Sequence, residues 1–582
     1  MKKQPNYNRI SISILLCISF IVPNLLYADE VQKKDSMVKT SDPVHIEVSR
    51  FPPYSGLINS WEELIRNKMA GVYVVSNNGS PTSGYIISVR GGAATGAGNP
   101  LYVIDGMPIY NTGINGNENN YMSLINPNDI VSITVLKGAD AGYYGDNTSN
   151  GVILLTTRKG FRSKLTVDAH STVSYLQPTK SAHMFSPNEF NQVVIQKGTL
   201  QQQSLIGNEP TNWNNEIFQT SMATDHYINV SGGNFLSSPI SASLGYSNQD
   251  GTLKTDNTNR LTGSLHFSPC FLNNHLKLNF NIHGTINKNR FADNSLILNA
   301  ALMNPTLPVD SGRFLQVMDK NSLTSTVKRL LWNFSANYQF HELPELSAQL
   351  SINHDAGFSN LANYVSMPIS SFIYSNVTFA SYSKQIYEGK TNNTCIFHLN
   401  YQKHSNFLKS DFSILAGTEL TKFQDSLQTF SFYVYQNGVA YISEAGTSVH
   451  KNRFLSLFAK FNWDYDGKYM LSATIRKRAN LNFSSDQKWQ YYPSIGVAWN
   501  IEQESFLDEF RNNGNSLKVR LNTGKTGYFH ILSYYSSYDH TTHNYSALAT
   551  TKDINAGIEF EVFNRRLSGG IDIYRKVTNG LL

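Results

Sequence analysis

Cysteine is scarce, with Cys17, Cys270 and Cys395 the three in 582 residues. None forms a CxxC pair or stands at a metal-ligand spacing, so neither a disulfide framework nor a thiolate metal centre organises the chain. Cys17 falls in the leader described below; the other two read as unpaired thiols, with one bridge between them as the alternative. Charge is also sparse, at 15% of residues, and the formal net charge is +6. Lys2, Lys3 and Arg9 belong to the leader, and the roughly +3 that remains is too weak and too dispersed to argue for nucleic acid. The 15 histidines are scattered and no HExxH occurs, so metal catalysis has no support. After the first thirty residues no apolar run reaches the roughly 20 residues that a transmembrane helix needs.

What fills the chain instead is Asn, Ser, Thr, Gln and Gly with 12% aromatic residues; hydrophobic residues are 40%, yet the mean hydropathy is −0.31. Few charges, many neutral polar groups and abundant Tyr and Phe suit a β-barrel with a wet interior and an aromatic-banded exterior. A secreted β-sandwich shares that composition.

The basic start, the apolar run from Ile10 to Val22 and the small residue in Leu26-Tyr27-Ala28 have the layout of a secretory signal peptide, residues 1–28. Leu16 before Cys17 argues against a lipoprotein signal. Residues 29–42 are polar without apolar period and read as a periplasmic linker. Residues 43–160 mix glycine, asparagine and short β-branched runs. A short helix is expected at Trp61–Ile65 with Ser60 as its cap. Strands are expected at Val72–Val75, Tyr85–Val89, Tyr102–Ile104, Ile133–Leu136 and Val152–Leu155. This is a small α+β domain.

From Phe161 to Leu582 the pattern alternates with period two, in about fifteen strands. Leu457, Ala459, Phe461, Trp463 and Tyr465 oppose Phe458, Lys460, Asn462 and Asp464. The chain then turns at Asp466-Gly467, a dipeptide suited to tight hairpins, and returns with Leu471, Ala473 and Ile475 opposing Ser472, Thr474 and Arg476. Polar faces for a lumen, apolar faces ending in aromatic residues and short turns alternating with long connections favour a membrane barrel over a sandwich.

Several strings resemble the SusC/RagA family of TonB-linked outer-membrane proteins. They are Val89-Arg90-Gly91-Gly92; Pro100 through Ile109, which holds Tyr102, Asp105, Gly106 and Pro108; and Leu124-Ile125-Asn126-Pro127-Asn128-Asp129-Ile130. Ile133 through Lys137-Gly138, then Tyr144-Gly145, then Asn150-Gly151 through Gly160 complete the plug signature. Val230 through Asn234, Lys468 through Leu471, Trp489 through Ser494 and Asn564 through Gly569 are similar to the family's barrel, so the likeness covers nearly everything after Ile58.

The resemblance implies a mainly β protein: an α+β plug, residues 43–160, followed by a transmembrane antiparallel β-barrel, residues 161–582. Enzyme signatures are poor throughout the chain, so no enzyme activity and no cofactor are expected. The resemblance implies import of an oligosaccharide or peptide with TonB and a SusD-like surface lipoprotein as partners, in outer-membrane lipid. Arg90, Gly91, Tyr102, Asp105, Gly106, Pro108, Asn126, Pro127, Asp129, Lys137, Tyr144, Gly145, Asn150 and Gly151 are then plug-signature residues with a structural or coupling role. Asp105-Gly106 reads as a tight turn or as a sensing position, and Arg90 as a buried charge partner or a ligand contact. Ile46, Glu47 and Val48 form the candidate TonB-contacting segment. Barrels of this class reach about 22 strands, so fifteen lead to the expectation of an incomplete barrel. The chain then reads as the N-terminal part of a longer protein or as a truncated, non-transporting remnant. A secreted β-rich adhesin is the remaining alternative.

Gly524-Lys525-Thr526 matches half of a phosphate loop, but Arg520 stands where a glycine is required, so a barrel strand is the better reading. The glycines from Gly91 to Gly98 lack a strand–turn–helix unit and read as a plug loop.

Overall fold

The computed structural model describes residues 44–47, 58, 60–91, 99–109, 113–114, 125–160, 164–179, 183–235, 238–293, 295–308, 322–366, 373–374, 377–435, 440–482, 489–536, 541–564 and 566–580. The leader, the linker and Val48 lie outside them.

The N-terminal domain contains two sheets. Strands β1 (Val44–Glu47), β4 (Leu101–Ile104), β5 (Met107–Ile109), β6 (Ile130–Leu136) and β7 (Val152–Thr157) form one, in the order β1-β6-β7-β4-β5. Only the β4–β7 pair is parallel. Strands β2 (Val72–Ser76) and β3 (Tyr85–Val89) form an antiparallel hairpin. The alternating apolar residues of these strands pack against Trp61, Leu64 and Ile65 in one core. The helix is as expected but begins at Glu62, and its cap differs. Trp61 occupies that position, while the Ser60 hydroxyl turns to the Glu62 carboxylate. A buried acid two residues on competes for the hydroxyl with the backbone amide.

The rest of the chain is the barrel. Its strands are β8 (Thr166–Leu176), β9 (Ser221–Phe235), β10 (Ser238–Asp250), β11 (Asn257–Phe267), β12 (Cys270–Phe271), β13 (Leu276–Phe291), β14 (Ser322–Gln339) and β15 (Leu346–Ser366). They continue with β16 (Ile373–Tyr374), β17 (Val377–Ser405), β18 (Ser410–Tyr435), β19 (Ala440–Tyr465), β20 (Tyr469–Asn480) and β21 (Trp489–Asn500). The last are β22 (Ser516–Ser536), β23 (Thr541–Val562) and β24 (Leu567–Asn579). Two of the seventeen are two-residue pieces, which leaves fifteen long strands. At the hairpin read from sequence, Asp466 and Gly467 take φ of 53° and 67°, the paired positive values that match the twist of the flanking strands. Short turns such as 406–409 and 466–468 lie at one end of the barrel, and longer connections such as 177–220 at the other. Cys270 and Cys395 are unpaired.

The strand order can be followed round the wall from β9 through β10 to β24, with β8 paired to β9 at the other end. Twist and tilt curl fifteen long strands around the inner domain. The junction differs from the rest of the wall. Strands β8 and β24 are exposed along most of their length, and no residue-by-residue register joins them among the described residues.

The wall is inside out relative to a soluble protein. Leu244, Ile282, Leu330, Ile352, Leu420, Leu457, Ile475 and Ile558 are exposed, while Asn229, Asn281, Arg329, Asn353, Glu419, Arg476 and Asn555 are buried. Hydrocarbon outside and polar groups inside require this inversion. Among the described residues no helix is long and apolar enough to cross a membrane. Aromatic rings gather at the short-turn end, where Tyr465 stacks on Tyr469 at 6.1 Å and Tyr469 on Trp499 at 6.3 Å, as in an interface girdle. We expect Leu457→Arg, in the middle of the outward band, to cost about 2–4 kcal/mol of folding stability in lipid vesicles. Equilibrium refolding into vesicles measures this.

Candidate functional site at the plug–wall interface

The inner domain meets the barrel wall chiefly through polar groups, because the wall offers it mostly polar groups; Leu331 of β14 and Phe458 of β19, whose ring lies 5.6 Å from that of Tyr143, are apolar contacts. Four sectors among the described residues hold signature residues and the densest contacts; Thr82 also donates to Asp256 at 3.5 Å and Lys390 to the Gly113 carbonyl.

In the first, the turn between β4 and β5 places Asp105 at φ 48° and Gly106 at φ 85°. The Asp105 carboxylate accepts from the Thr157 amide at 2.9 Å and the Thr157 hydroxyl at 2.6 Å. His283 of β13 approaches it at 3.5 Å. Burial pushes the Asp105 carboxyl up, but the His283 and Thr157 contacts outweigh it and hold it below the ordinary value. Asp105 is therefore a turn residue and a wall contact at once.

In the second sector Asn126 caps the short 3-10 turn that starts at Pro127, and its amide donates to the Thr262 hydroxyl of β11 at 3.1 Å. Asp129 accepts from the Tyr227 hydroxyl at 2.7 Å and the Ser243 hydroxyl at 2.9 Å.

The third sector holds Arg90, at φ 53°. Its guanidinium stands 3.6 Å from Asp572 and over the Tyr574 ring at 5.2 Å, both on β24. Arg520 of β22 shares Asp572, at 2.6 Å. Arg90 is thus a buried charge partner of the wall.

The fourth sector is the densest. Arg476 of β20 binds Glu419 of β18 at 2.7 Å and donates to the Tyr143 carbonyl at 3.2 Å. Arg478 lies 3.8 Å from Glu419 and 2.8 Å from Asp146. Here the backbones also join: the Thr148 amide donates to the Gly527 carbonyl at 3.2 Å, and the Gly527 amide to the Gly145 carbonyl at 3.4 Å. Two glycines permit this approach. Gly145 takes φ 86°, and a Cβ on Gly527 would stand 2.6 Å from the Tyr492 ring. Burial raises the Asp146 carboxyl despite the opposing Arg478 and Arg476 charges.

The other signature residues support the domain internally. Asn150 accepts from the Val89 amide and donates to the Ile87 carbonyl, both at 3.1 Å, tying the hairpin to the larger sheet. Lys137 donates to the Ala70 carbonyl at 2.7 Å. Tyr102 packs edge-on against Trp61 at 5.6 Å, and Tyr144 against Tyr143 at 5.1 Å. Pro108 pairs with Val103, and Gly91 and Gly151 take positive φ. Ile46 and Glu47 pair by backbone with Ile133 and Ser132. Sequence reasoning missed Asp146, Glu419, Arg478, Arg520 and Asp572. Their signal was faint: Arg476 and Arg478 fall on the polar face of an alternating strand, where a charge needs a partner. Gly524 to Thr526 lie within β22, as the strand reading expects. Among the described residues no cluster of His, Cys, Asp and Glu could hold a metal ion.

A family model described as TonB-dependent Receptor Plug Domain matches residues 56–152. TonB-dependent receptor SusC of Bacteroides thetaiotaomicron is 30% identical over 597 residues, an alignment that covers 90% of this chain and 58% of that protein. The chain belongs to the SusC/RagA family of TonB-dependent receptors. TonB-dependent receptor P39 of Formosa agariphila is 26% identical, with 89% of this chain and 52% of that one covered. The chain therefore spans about half to three-fifths of the length of these curated relatives. Among solved structures, that of the RagAB peptide transporter has a TM-score of 0.74 at 19% identity and covers 93% of this chain and 68% of that one. A ferric enterobactin receptor, PfeA, of Pseudomonas aeruginosa has a TM-score of 0.58 at 12% identity, with 92% and 70% covered. At these identities the structural likeness is one of fold.

Two outcomes test the plug's attachment and its internal packing. Glu419→Gln leaves Arg476 and Arg478 without their shared carboxylate, and we expect it to cost about 3–5 kcal/mol, seen as faster amide exchange at residues 139–148. Glu62 is buried, and burial raises its carboxyl to about 7. Its folded value lies above its unfolded one, so its contribution to stability is fully present below about 4.5 and is lost as pH rises to about 7. Glu62→Gln should remove that dependence, leaving the variant ahead of wild type by up to roughly 3 kcal/mol above pH 7. Denaturation midpoints across that window measure it.

Proposed function

We propose that this chain acts in the outer membrane as a TonB-dependent importer of a large nutrient. Residues 1–28 direct export, 29–42 form the periplasmic linker, 43–160 the plug and 161–582 the barrel. The cargo is an oligosaccharide or a peptide, and a SusD-like lipoprotein covers the long-connection end. That RagAB is a peptide transporter and SusC a TonB-dependent receptor supports this reading.

The observation that carries it is the arrangement of the lumen. A separate domain fills a polar-walled barrel and is held by ion pairs and hydrogen bonds rather than by a continuous apolar core. Each neutral bond contributes about 0.5–1.5 kcal/mol and each charged one about 1.5–3. Several must break together, so passage needs work done on the plug, which an energised partner supplies. Strand β1 ends the plug sheet, with Ile46 and Glu47 in it. An edge strand is a suitable handle for a partner that binds by strand addition.

The signature residues then divide by role. Arg90, Asp105, Asn126, Asp129 and Gly145 couple the plug to the wall; Tyr102, Pro108, Pro127, Lys137, Tyr144, Asn150 and Gly151 keep its shape. We expect cells expressing the chain to take up one oligosaccharide or peptide cargo only when TonB is active, and Ile46→Pro to lower uptake at least tenfold. Equal uptake with and without TonB overturns the proposal.

A further inference from the structure

Outward-facing cations stand at the long-connection border of the apolar band. Six examples are Lys328 on β14, Lys422 on β18, Arg453 on β19, Lys477 on β20, Lys525 on β22 and Lys552 on β23. Parity along each strand fixes their direction. Lys328, Lys422, Lys477 and Lys552 each lie two residues beyond an exposed apolar residue of the same face, namely Leu330, Leu420, Ile475 and Ile554. Arg453 follows Leu455, and Lys525 stands four residues beyond the exposed Leu521. Lys328 and Lys477 sit toward the long-connection ends of their strands, and Lys422, Arg453, Lys525 and Lys552 near the middle of longer ones; in each strand the cation lies on the long-connection side of the apolar residue named.

Two features make this border unusual. Lys422 pairs directly across the sheet with Arg453, and Lys525 with Lys552. Like charges directly opposite on one face repel. Moreover, no Asp or Glu stands on the outward face of these six strands among the described residues. Lys477 lies over the Trp489 ring at 4.5 Å and the Tyr491 ring at 5.2 Å, an aromatic setting typical of a headgroup boundary. A cation belt with no acidic partner on its own face calls for an external anion, and lipid headgroups are what lie at that depth.

We propose that this belt binds phosphorylated lipid headgroups of the outer leaflet, with the pairs Lys422–Arg453 and Lys525–Lys552 each gripping phosphate oxygens. The inference rests on the outer-membrane placement above. It goes beyond transport, since it assigns the outer wall a lipid-binding site.

The test uses the full chain folded in neutral detergent, with bisphosphorylated lipid A and chemically dephosphorylated lipid A as probes, read by native mass spectrometry. We expect the bisphosphorylated lipid to bind at least tenfold more tightly. We expect the variant K422Q/R453Q/K525Q/K552Q to lose that preference while keeping its heat-modifiable gel migration. Equal binding of the two lipids by wild type overturns the proposal, and that comparison does not depend on the variant folding. Undiminished preference in a folded variant overturns it too. Loss of heat-modifiable migration in wild type would instead overturn the membrane reading on which it rests.

Discussion

Lipid outside the wall decides which way every side chain of the barrel turns. Apolar residues must face out, so the polar member of each alternating pair is forced in, charged residues included. Arg476, Arg478, Arg520 and Glu419 are buried for that reason. A charge taken out of water needs a partner, and the plug supplies several. Asp146 meets Arg478, Arg90 meets Asp572, and the Tyr143 carbonyl accepts from Arg476. The contents of the lumen are thus a consequence of the exterior.

The same constraint explains how the plug is attached. A hydrophobic seam between plug and wall would need apolar residues facing inward, which an alternating strand in lipid rarely provides. Ion pairs and hydrogen bonds do the fastening, and they are distributed. Near Gly145 and Gly527 the two backbones bond directly. Elsewhere side chains alone reach across, as from Asp129 to Tyr227 and Ser243. The sector with backbone joints and the paired arginines is therefore the firmest attachment, and the Asp129 and Asn126 contacts are the more readily exchanged. A device that must stay shut against leakage and still open under load is well served by many moderate contacts of this kind.

Much of this was legible in the residues. Period-two alternation, the Asp466-Gly467 turn and the polar faces of Ser472, Thr474 and Arg476 pointed to a barrel, because side-chain direction in a strand follows from position parity alone. The plug strands at Val72, Tyr85, Ile133 and Val152 were equally readable, since short β-branched runs between glycines and asparagines have few other uses. The capping role given to Ser60 was not borne out, because a buried Glu62 claims its hydroxyl. How the first and last strands of the wall stand to each other was not legible either. Strand count does not fix closure; tilt and stagger do, and neither is written in a single strand's pattern.

What the sequence by itself determined is which face of each strand is polar and where the chain must turn, because these depend on neighbours within a few residues. Only the tertiary structure decided which charges meet. Asp146 and Arg478 are more than three hundred residues apart, and Arg90 and Asp572 nearly five hundred. Nothing local distinguishes them from any other Asp or Arg. Their pairing follows from the register of the wall around the plug, and register is a property of the closed sheet rather than of any strand within it.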